Sequence, residues 1–257
     1  MFARGTARHF AAEQMATFAE AYKRKGQRIA LVTIGGSFHG GHQAAIRAAR
    51  RIPGSLVVAA LSPANTTPDI AAALAQEGID AYFTAPQPPA TVRLHSDNHD
   101  LTNLMAATIT AGATDLMVGE DNYPRLVAAQ HLVTALGLRV KVHSLPTVRT
   151  ADGVPLNPRY NALDKKGRDA AVALSAALVA GAHAAAHGAT HVLDTTAAVI
   201  AAAGLEDAVH TLQLRGLMLG PAPAEGDARL LLQASINTVD FTDSVGLILA
   251  GGAGEHG

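Results

Sequence analysis

Short apolar runs alternate with amphipathic stretches through the first half of the chain. The apolar runs have the length and β-branched content of buried strands, and they fall at residues 28–33, 55–61, 80–84, 115–118 and 138–142. Apolar residues recur at helical spacing in residues 10–25, 42–51, 66–78, 101–111 and 127–136. Strands that alternate with helices are typical of a parallel sheet. The pattern therefore predicts an α/β fold with a doubly wound parallel sheet, whose ligands bind beyond the carboxyl ends of the strands.

The pattern changes near residue 150. Two Ala-rich helical stretches come first, at residues 169–187 and 189–203. Runs typical of β-strands follow them, at residues 208–214, 229–236 and 239–241. Helices followed by strands indicate a separate, smaller α+β domain. We therefore predict a first domain over residues 1–148 and a second over residues 149–257, with a disordered tail from residue 251.

Composition excludes several classes of protein. Of the 257 residues, 49% are apolar and 16% are charged, which excludes a disordered or fibrous protein. The 20 Lys and Arg residues nearly balance the 21 Asp and Glu residues, without the basic excess typical of a nucleic-acid-binding protein. The chain has no Cys, which excludes disulfides and thiolate metal sites.

Hydropathy predicts neither a membrane span nor a signal peptide. No uninterrupted apolar run reaches the roughly 18 residues that a transmembrane helix needs. The N-terminal residues MFARGTARHF lack the apolar core of a secretory signal. We therefore expect a cytoplasmic protein without a membrane partner.

The strongest local signal is the segment TIGGSFHGGH, which joins the first predicted strand to a helix. Gly35 and Gly36 let the backbone approach a ligand closely. Gly41 and His42 open the helix, whose free N–H groups and dipole favour phosphate. Together with His39, His42 can add donors for charge that develops in phosphoryl or adenylyl transfer. A glycine turn with two incidental His residues and a zinc-binding His pair are the alternatives, although no third metal ligand is evident nearby.

This segment resembles the HxGH signature of the nucleotidyltransferase superfamily and, more closely, the PTMGALHEGH stretch of the pantothenate synthetase (pantoate–β-alanine ligase) family. Other segments resemble the same family in the same order. VGEDNY at residues 118–123 stands where the family has FGEKDY, PTVRTADG at residues 146–153 matches its PTVRxxDG, and LRGLMLGP at residues 214–221 matches its second domain. Because this co-linear similarity covers most of the chain, the chain is identified as a member of this family.

The resemblance implies a Rossmann-like first domain, a lid-like second domain and a homodimer. It also implies an enzyme that uses ATP and Mg²⁺ to adenylate a carboxylic acid with loss of pyrophosphate, after which an amine attacks the acyl adenylate to give an amide and AMP. The positions that match catalytic residues are His39, His42 and Arg159. Those that match nucleotide-binding residues are Gly35, Gly36, Gly41, Gly119, Asp121, Asn122, Val148, Leu156 and Asn157. Those that match substrate-binding residues are Asn65 and Arg125.

The phosphate-binding positions depart from the family's pattern. Asp121 replaces the Lys of FGEKDY that contacts ATP phosphates, and Asn122 replaces the Asp that follows it. A carboxylate at this position repels phosphate unless Mg²⁺ bridges the two or another cation compensates. In the family's MSSRN loop, here LNPRY, Arg159 survives while the Ser positions become Asn and Pro. We expect Arg159 to supply the missing charge; a cleft that no longer takes a triphosphate is the alternative.

The acid-binding positions depart as well. Asn65 stands at the Gln of the family's NPxQ turn, Arg125 at a second substrate-binding Gln, and Gly35 at the Met of PTMG. An acidic stretch that follows NPxQ in the family is absent. These changes predict an acid other than pantoate, because a shortened side chain leaves substrate polar groups unpaired.

Three other hypotheses stay open, because the fold alone does not decide among them. The chain could be a pantothenate synthetase with degenerate motifs, a paralogue that uses the cleft for another condensation or group transfer, or a non-catalytic binding protein. We predict no metal site; His95, His99 and Asp100 have metal-like spacing only if they are helical.

Overall fold

The computed structural model describes residues 3–65, 67–89 and 99–250, which form two compact units. The first unit comprises Met1–Gly119 and Ala128–Pro146. The second comprises Glu120–Val127 and Thr147–Gly257. The short segment Glu120–Val127 thus belongs to the second unit although residues of the first unit flank it on both sides. His95 and the tail from residue 251 lie outside the described residues.

The first unit is built on a parallel sheet. Its strands are β1 (Arg8–Phe10), β2 (Ile29–Ile34), β3 (Leu56–Leu61), β4 (Ala81–Thr84), β5 (Asp115–Gly119) and β6 (Lys141–Leu145). They lie side by side in the order β1-β4-β3-β2-β5-β6, and every pairing is parallel. The accompanying helices are α1 (Ala12–Lys23), α2 (Gly40–Arg50), α3 (Pro68–Gln76), α4 (His99–Thr110) and α5 (Tyr123–Ala135), of which α5 starts in the second unit. The predicted doubly wound α/β fold is confirmed.

The central strands of this sheet are buried on both faces. All six residues of β3 are buried, as are five of the six in β2. Met15, Ile46 and Leu74 pack into the core from three different helices, and each is fully buried. A strand covered on both faces has no polar side, which is why these strands appear in the sequence as continuous apolar runs.

Two buried carboxylates stand at the amino ends of strands. Asp115 is fully buried at the start of β5, where it bonds Arg28 through two guanidinium nitrogens, lies 2.7 Å from Nε2 of His143 and accepts a 2.7 Å bond from Thr114. Burial alone raises the pKa of Asp115, but these hydrogen bonds outweigh burial and lower it below its ordinary value. Asp80 holds Arg4 in the same way just before β4.

The second unit combines helices with an antiparallel sheet. Its helices are α6 (Lys165–His183) and α7 (Ala189–Ala202), and its strands, in the spatial order given, are β7 (Val209–Gly216), β8 (Gly226–Ile236) and β9 (Val239–Leu249). By length and composition alone, the stretch Lys165–His187 could cross a membrane. However, Ala171, Leu174 and Leu178 on α6 are almost fully buried within the core of this unit, as in the core helix of a globular domain.

We predict that Asp115→Asn lowers the free energy of unfolding at pH 7 by about 2–4 kcal/mol, because it leaves the partners of a buried charge unpaired. The pKa of Asp115 is lowered on folding, so its contribution is present above about pH 4 and is lost as the pH falls below its ordinary pKa of 3.8. Urea denaturation measures the change. Glu20→Gln, in the exposed Arg24–Glu20 pair, is the control and should cost less than about 0.5 kcal/mol. Equal losses for the two variants contradict the prediction.

Candidate active site

The switch point of the sheet lies beside β2. The chain runs from β2 to β3 and β4 on one side, whereas β5 and β6 lie on the other. Val32 pairs with Met117, so the carboxyl ends of β2 and β5 are neighbours. The glycine and histidine loop that leaves β2 and Gly119 at the end of β5 therefore stand at the position where doubly wound sheets bind ligands.

His39 and His42 cap the start of α2. The Gly41 amide donates to Nδ1 of His39 at 3.1 Å, and the His39 amide donates to Nδ1 of His42 at 3.4 Å. The centroids of the two rings lie 3.9 Å apart. The sequence predicted a helix from residue 42 with free N–H groups; the helix instead begins at Gly40, and the imidazole rings bond two of the amides at its start.

This capping determines which ring nitrogen carries the proton. In both rings Nδ1 accepts a backbone N–H, so the proton of the neutral ring lies on Nε2. Burial, and then the neighbouring His39, lower the pKa of His42 to about 3 from its ordinary 6.5. Phe38 stacks on His42 with ring centroids 5.9 Å apart and contributes to that burial. At neutral pH, His42 is thus a neutral Nε2–H donor.

Asn65 holds the glycine turn that precedes the histidines. Its Nδ2 group donates to the carbonyl oxygen of Gly36 at 2.5 Å and to that of Ile34 at 3.2 Å. The side chain predicted to bind the acid therefore has its amide hydrogens engaged by the loop. No described atom lies within 4 Å of a Cβ built on Gly35, so the local packing of the described residues does not itself require glycine there.

Three predicted site residues lie on the segment that leads into α5. Residues Glu120–Asn122 form a 3₁₀ turn, and Oδ1 of Asn122 accepts the amide hydrogen of Arg125 at 3.2 Å. Asn122 therefore caps α5, a role that needs only a side-chain oxygen and that the family's Asp can also fill. Asp121 lies between the β5 end and this cap.

The remaining predicted site residues lie on one hairpin and the turn after it. The amide of Leu156 donates to the carbonyl oxygen of Val148 at 2.8 Å. Oδ1 of Asn157 accepts the amide hydrogen of Arg159 at 3.0 Å and caps the 3₁₀ turn Pro158–Ala162. The Arg159 side chain is exposed. This part of the second unit therefore presents a guanidinium to solvent from a hydrogen-bonded backbone turn.

The charges of Asp121 and Arg159 both affect the pKa of the Tyr160 hydroxyl. Burial is the main cause that raises the pKa of Tyr160 to about 12, and its hydroxyl is bonded to the backbone of Thr242. The charge of Asp121 raises this pKa further, whereas that of Arg159 lowers it. Both charges therefore act on one hydroxyl within the second unit.

The structure thus places the predicted residues in two groups. The first unit holds Gly35, Gly36, His39, Gly41, His42, Asn65 and Gly119. The second holds Asp121, Asn122, Arg125, Val148, Leu156, Asn157 and Arg159. The ion pair between Glu120 and Arg229 was not predicted. Its signal in the sequence is a charged residue at the start of an apolar run. Within residues 3–65, 67–89 and 99–250, no group of three or more His, Asp or Glu side chains could hold a metal ion.

Comparison with known proteins assigns the family. The sequence profile described as Pantoate-beta-alanine ligase matches residues 103–246. The pantothenate synthetase of Mycolicibacterium smegmatis is 34% identical over 95% of this chain and 88% of its own length. The pantothenate synthetase of Corynebacterium jeikeium is 33% identical over 93% of this chain and 89% of its own length. The chain therefore belongs to the pantoate–β-alanine ligase family, whose members are ATP-dependent ligases that form carbon–nitrogen bonds.

Solved structures share the fold. Pantothenate synthetase from Thermus thermophilus aligns with a TM-score of 0.78 at 21% identity, over 93% of this chain and 98% of its own. Pantoate-beta-alanine ligase from Francisella tularensis, complexed with beta-gamma ATP and beta-alanine, aligns with a TM-score of 0.67 at 17% identity. The alignment covers 93% of this chain and 97% of that structure's chain. At these identities the likeness concerns the fold.

We predict that Gly41→Ala displaces the His39 ring. The added Cβ would lie 2.8 Å from Cε1 and 2.9 Å from Nδ1 of that ring, closer than real contacts allow. The ¹⁵N resonances of His39 should then report loss of the Nδ1 hydrogen bond. Gly35→Ala, whose Cβ meets no described atom within 4 Å, should leave these resonances in place. Unshifted His39 resonances in Gly41→Ala contradict the capping geometry.

We also predict that His42 makes the fold sensitive to mild acid. Because folding lowers the pKa of His42 from 6.5 to about 3, the unfolded chain binds the extra proton between these values and stability falls as the pH drops. Between about pH 7.5 and 5.5 the loss should be about 1 kcal/mol greater in the wild type than in His42→Asn. Chemical denaturation at the two pH values measures it. Equal pH dependence in both proteins contradicts the lowered pKa.

Proposed function

We propose that the chain is an ATP-dependent, AMP-forming amide ligase. ATP adenylates a carboxylic acid, pyrophosphate leaves, and an amine attacks the acyl adenylate to release AMP and an amide. The observation that carries this proposal is the pair His39 and His42 at the start of α2, at the switch point of the sheet. The alignment of almost the whole chain with pantothenate synthetases supports the same reaction.

The two histidines suit a phosphate group as neutral donors. Each carries its proton on Nε2, and the helix start adds a positive end of the backbone dipole. Donors that are already oriented stabilise charge as it develops, without reorganisation during the reaction. His39 and His42 therefore stabilise the phosphate oxygens as pyrophosphate departs.

Arg159 replaces the family's phosphate-binding Lys. At about 4 Å from a phosphate, each unit charge is worth roughly 4 kcal/mol at an effective dielectric constant near 20, so Asp121 requires a compensating cation. Arg159 is exposed, and its charge opposes that of Asp121 in its effect on the pKa of the Tyr160 hydroxyl. Mg²⁺, which accompanies ATP, also suits the Asp121 carboxylate, because oxygen ligands are those that Mg²⁺ prefers. Gly119 of the first unit, and Asn122, Val148, Leu156 and Asn157 of the second, are proposed as further nucleotide-binding residues on the family resemblance.

The acid differs from pantoate in this proposal. The Asn65 amide hydrogens bond the loop at residues 34–36, which removes them from the role of the family's longer Gln. Arg125 adds a guanidinium, which binds carboxylates through two parallel hydrogen bonds. We therefore propose an acid that carries a second anionic group. The other partners are a small-molecule amine and a second copy of the chain, and the site of action is the cytoplasm.

Asp121 also favours a second candidate function. A carboxylate at a phosphate-binding position is compatible with a paralogue whose cleft serves a different condensation or group transfer. It is also compatible with a protein that binds a ligand without catalysis. The discriminating observation is the binding of ATP itself.

The test is pyrophosphate release from ATP and Mg²⁺ with a panel of acids that includes pantoate, each with β-alanine and other amines. We expect release with a dianionic acid, and a kcat/KM for pantoate lower by about 100-fold or more. Arg159→Ala should lower kcat/KM for ATP by about 100-fold, and Arg168→Ala, an exposed Arg of the same unit, should not.

Two outcomes contradict this proposal. Efficient turnover of pantoate with β-alanine rules out the altered acid but leaves the ligase reaction intact. If calorimetry detects no ATP binding by the wild type and Asp121→Lys restores it, the ligase assignment fails and the second candidate stands.

A further inference from the structure

Arg229 on β8 joins three segments of the second unit. Its side chain is only 8% exposed. One terminal nitrogen donates to Oε2 of Glu120 at 2.9 Å, while Nε and the other terminal nitrogen donate to the hydroxyl of Ser244 at 3.2 and 3.0 Å. The guanidinium carbon lies 4.2 Å from the centroid of the Tyr123 ring. All donor-bearing nitrogens of this side chain are thereby engaged with residues of the same unit.

The partners of Arg229 hold both ends of one short segment. The hydroxyl of Ser244 on β9 donates to the carbonyl oxygen of Glu120 at 3.2 Å. The hydroxyl of Tyr123 donates to the carbonyl oxygen of Leu217, in the turn after β7, at 3.0 Å. Asp121 lies between the two anchored residues. The backbone that carries Asp121 is therefore fixed from both sides.

The anchoring extends to Arg125 through the helix cap. Asn122 follows Asp121 directly, and its side chain bonds the amide of Arg125 at 3.2 Å. The first turn of α5 thus begins from a backbone that Glu120 and Tyr123 hold in place. A shift at Glu120 would move the start of the helix and the guanidinium of Arg125 with it.

The surroundings are shaped for an arginine. Gly246 on β9 pairs with Arg229 across the sheet, and a Cβ on Gly246 would lie 3.3 Å from its terminal nitrogen. A planar fork can bond Glu120 and Ser244 at once while it covers the Tyr123 ring, whereas the single ammonium of a Lys cannot.

We propose that Arg229 is a positioning residue of this site: by holding Glu120 and Tyr123, it sets the placement of Asp121 and Arg125 and so the affinity for the acid. This inference rests on the proposed function, since the acid is the ligand assigned to Arg125. Arg229 acts through the segment at residues 120–125.

The test compares Arg229→Lys with Arg4→Lys. Arg4, whose side chain is 49% exposed, is the control for loss of an arginine hydrogen-bonding pattern, because it bonds Asp80 and the carbonyl oxygen of Ser55 in the first unit. Hydrogen exchange measured by mass spectrometry follows peptides that cover residues 120–127, and steady-state kinetics give kcat and KM for the acid. Melting temperatures of both variants separate local from global loosening.

We expect Arg229→Lys to speed exchange at residues 120–127 and to raise KM for the acid, each by about tenfold, with a smaller change in kcat. Arg4→Lys should change neither. Glu120→Gln, which keeps the size and removes the charge, should act in the same direction and provides the test if Arg229→Lys does not fold.

Unchanged exchange at residues 120–127 in both Arg229→Lys and Glu120→Gln overturns the inference. Faster exchange at residues 120–127 in these variants, together with unchanged KM and kcat in an active enzyme, also overturns the inference. If the wild type releases no pyrophosphate with any acid, the proposed function has failed, and the exchange measurement alone decides whether Arg229 holds the segment.

Discussion

Burial of β2 and β3 on both faces governs where polar groups can stand in the first unit. A strand without a polar face leaves charge only at its ends. At the amino ends of the neighbouring strands β4 and β5 stand Asp80 and Asp115, each paired with an arginine, and their role is structural. At the carboxyl end of β2 stands the loop that leads to His39. The same constraint therefore separates the charges that stabilise the fold from the groups that meet a ligand.

The two histidines connect local folding to chemistry. A helix start needs acceptors for its free amides, and here ring nitrogens supply them in place of the usual hydroxyl or carboxylate. Because Nδ1 of each ring accepts a backbone N–H, the tautomer of each ring is also fixed. The proton that a phosphate ligand would meet is thus placed by secondary structure, before any ligand is present.

The sequence predicted those elements whose pattern is local. Continuous apolar runs located β2 and β3, whereas β1 was missed because its three residues have only one partly buried side chain. The strand β9 was predicted to end at residue 241 but continues to Leu249, since Asp243 and Ser244 interrupt its apolar pattern. Both are buried against Arg149 and Arg229. Such pairings join distant parts of the chain, and no local spacing reveals them.

The path of the chain through its two units has a consequence for biosynthesis. Residues Glu120–Val127 belong to the second unit, yet Arg229, which anchors them, is 109 residues further along the chain. At about 5–20 residues per second, the ribosome takes roughly 5–20 s to deliver that partner. During this interval β5 is already complete while the turn that follows it still lacks this anchor. The nascent chain therefore carries the carboxylate of Glu120 before the arginine that binds it has been made.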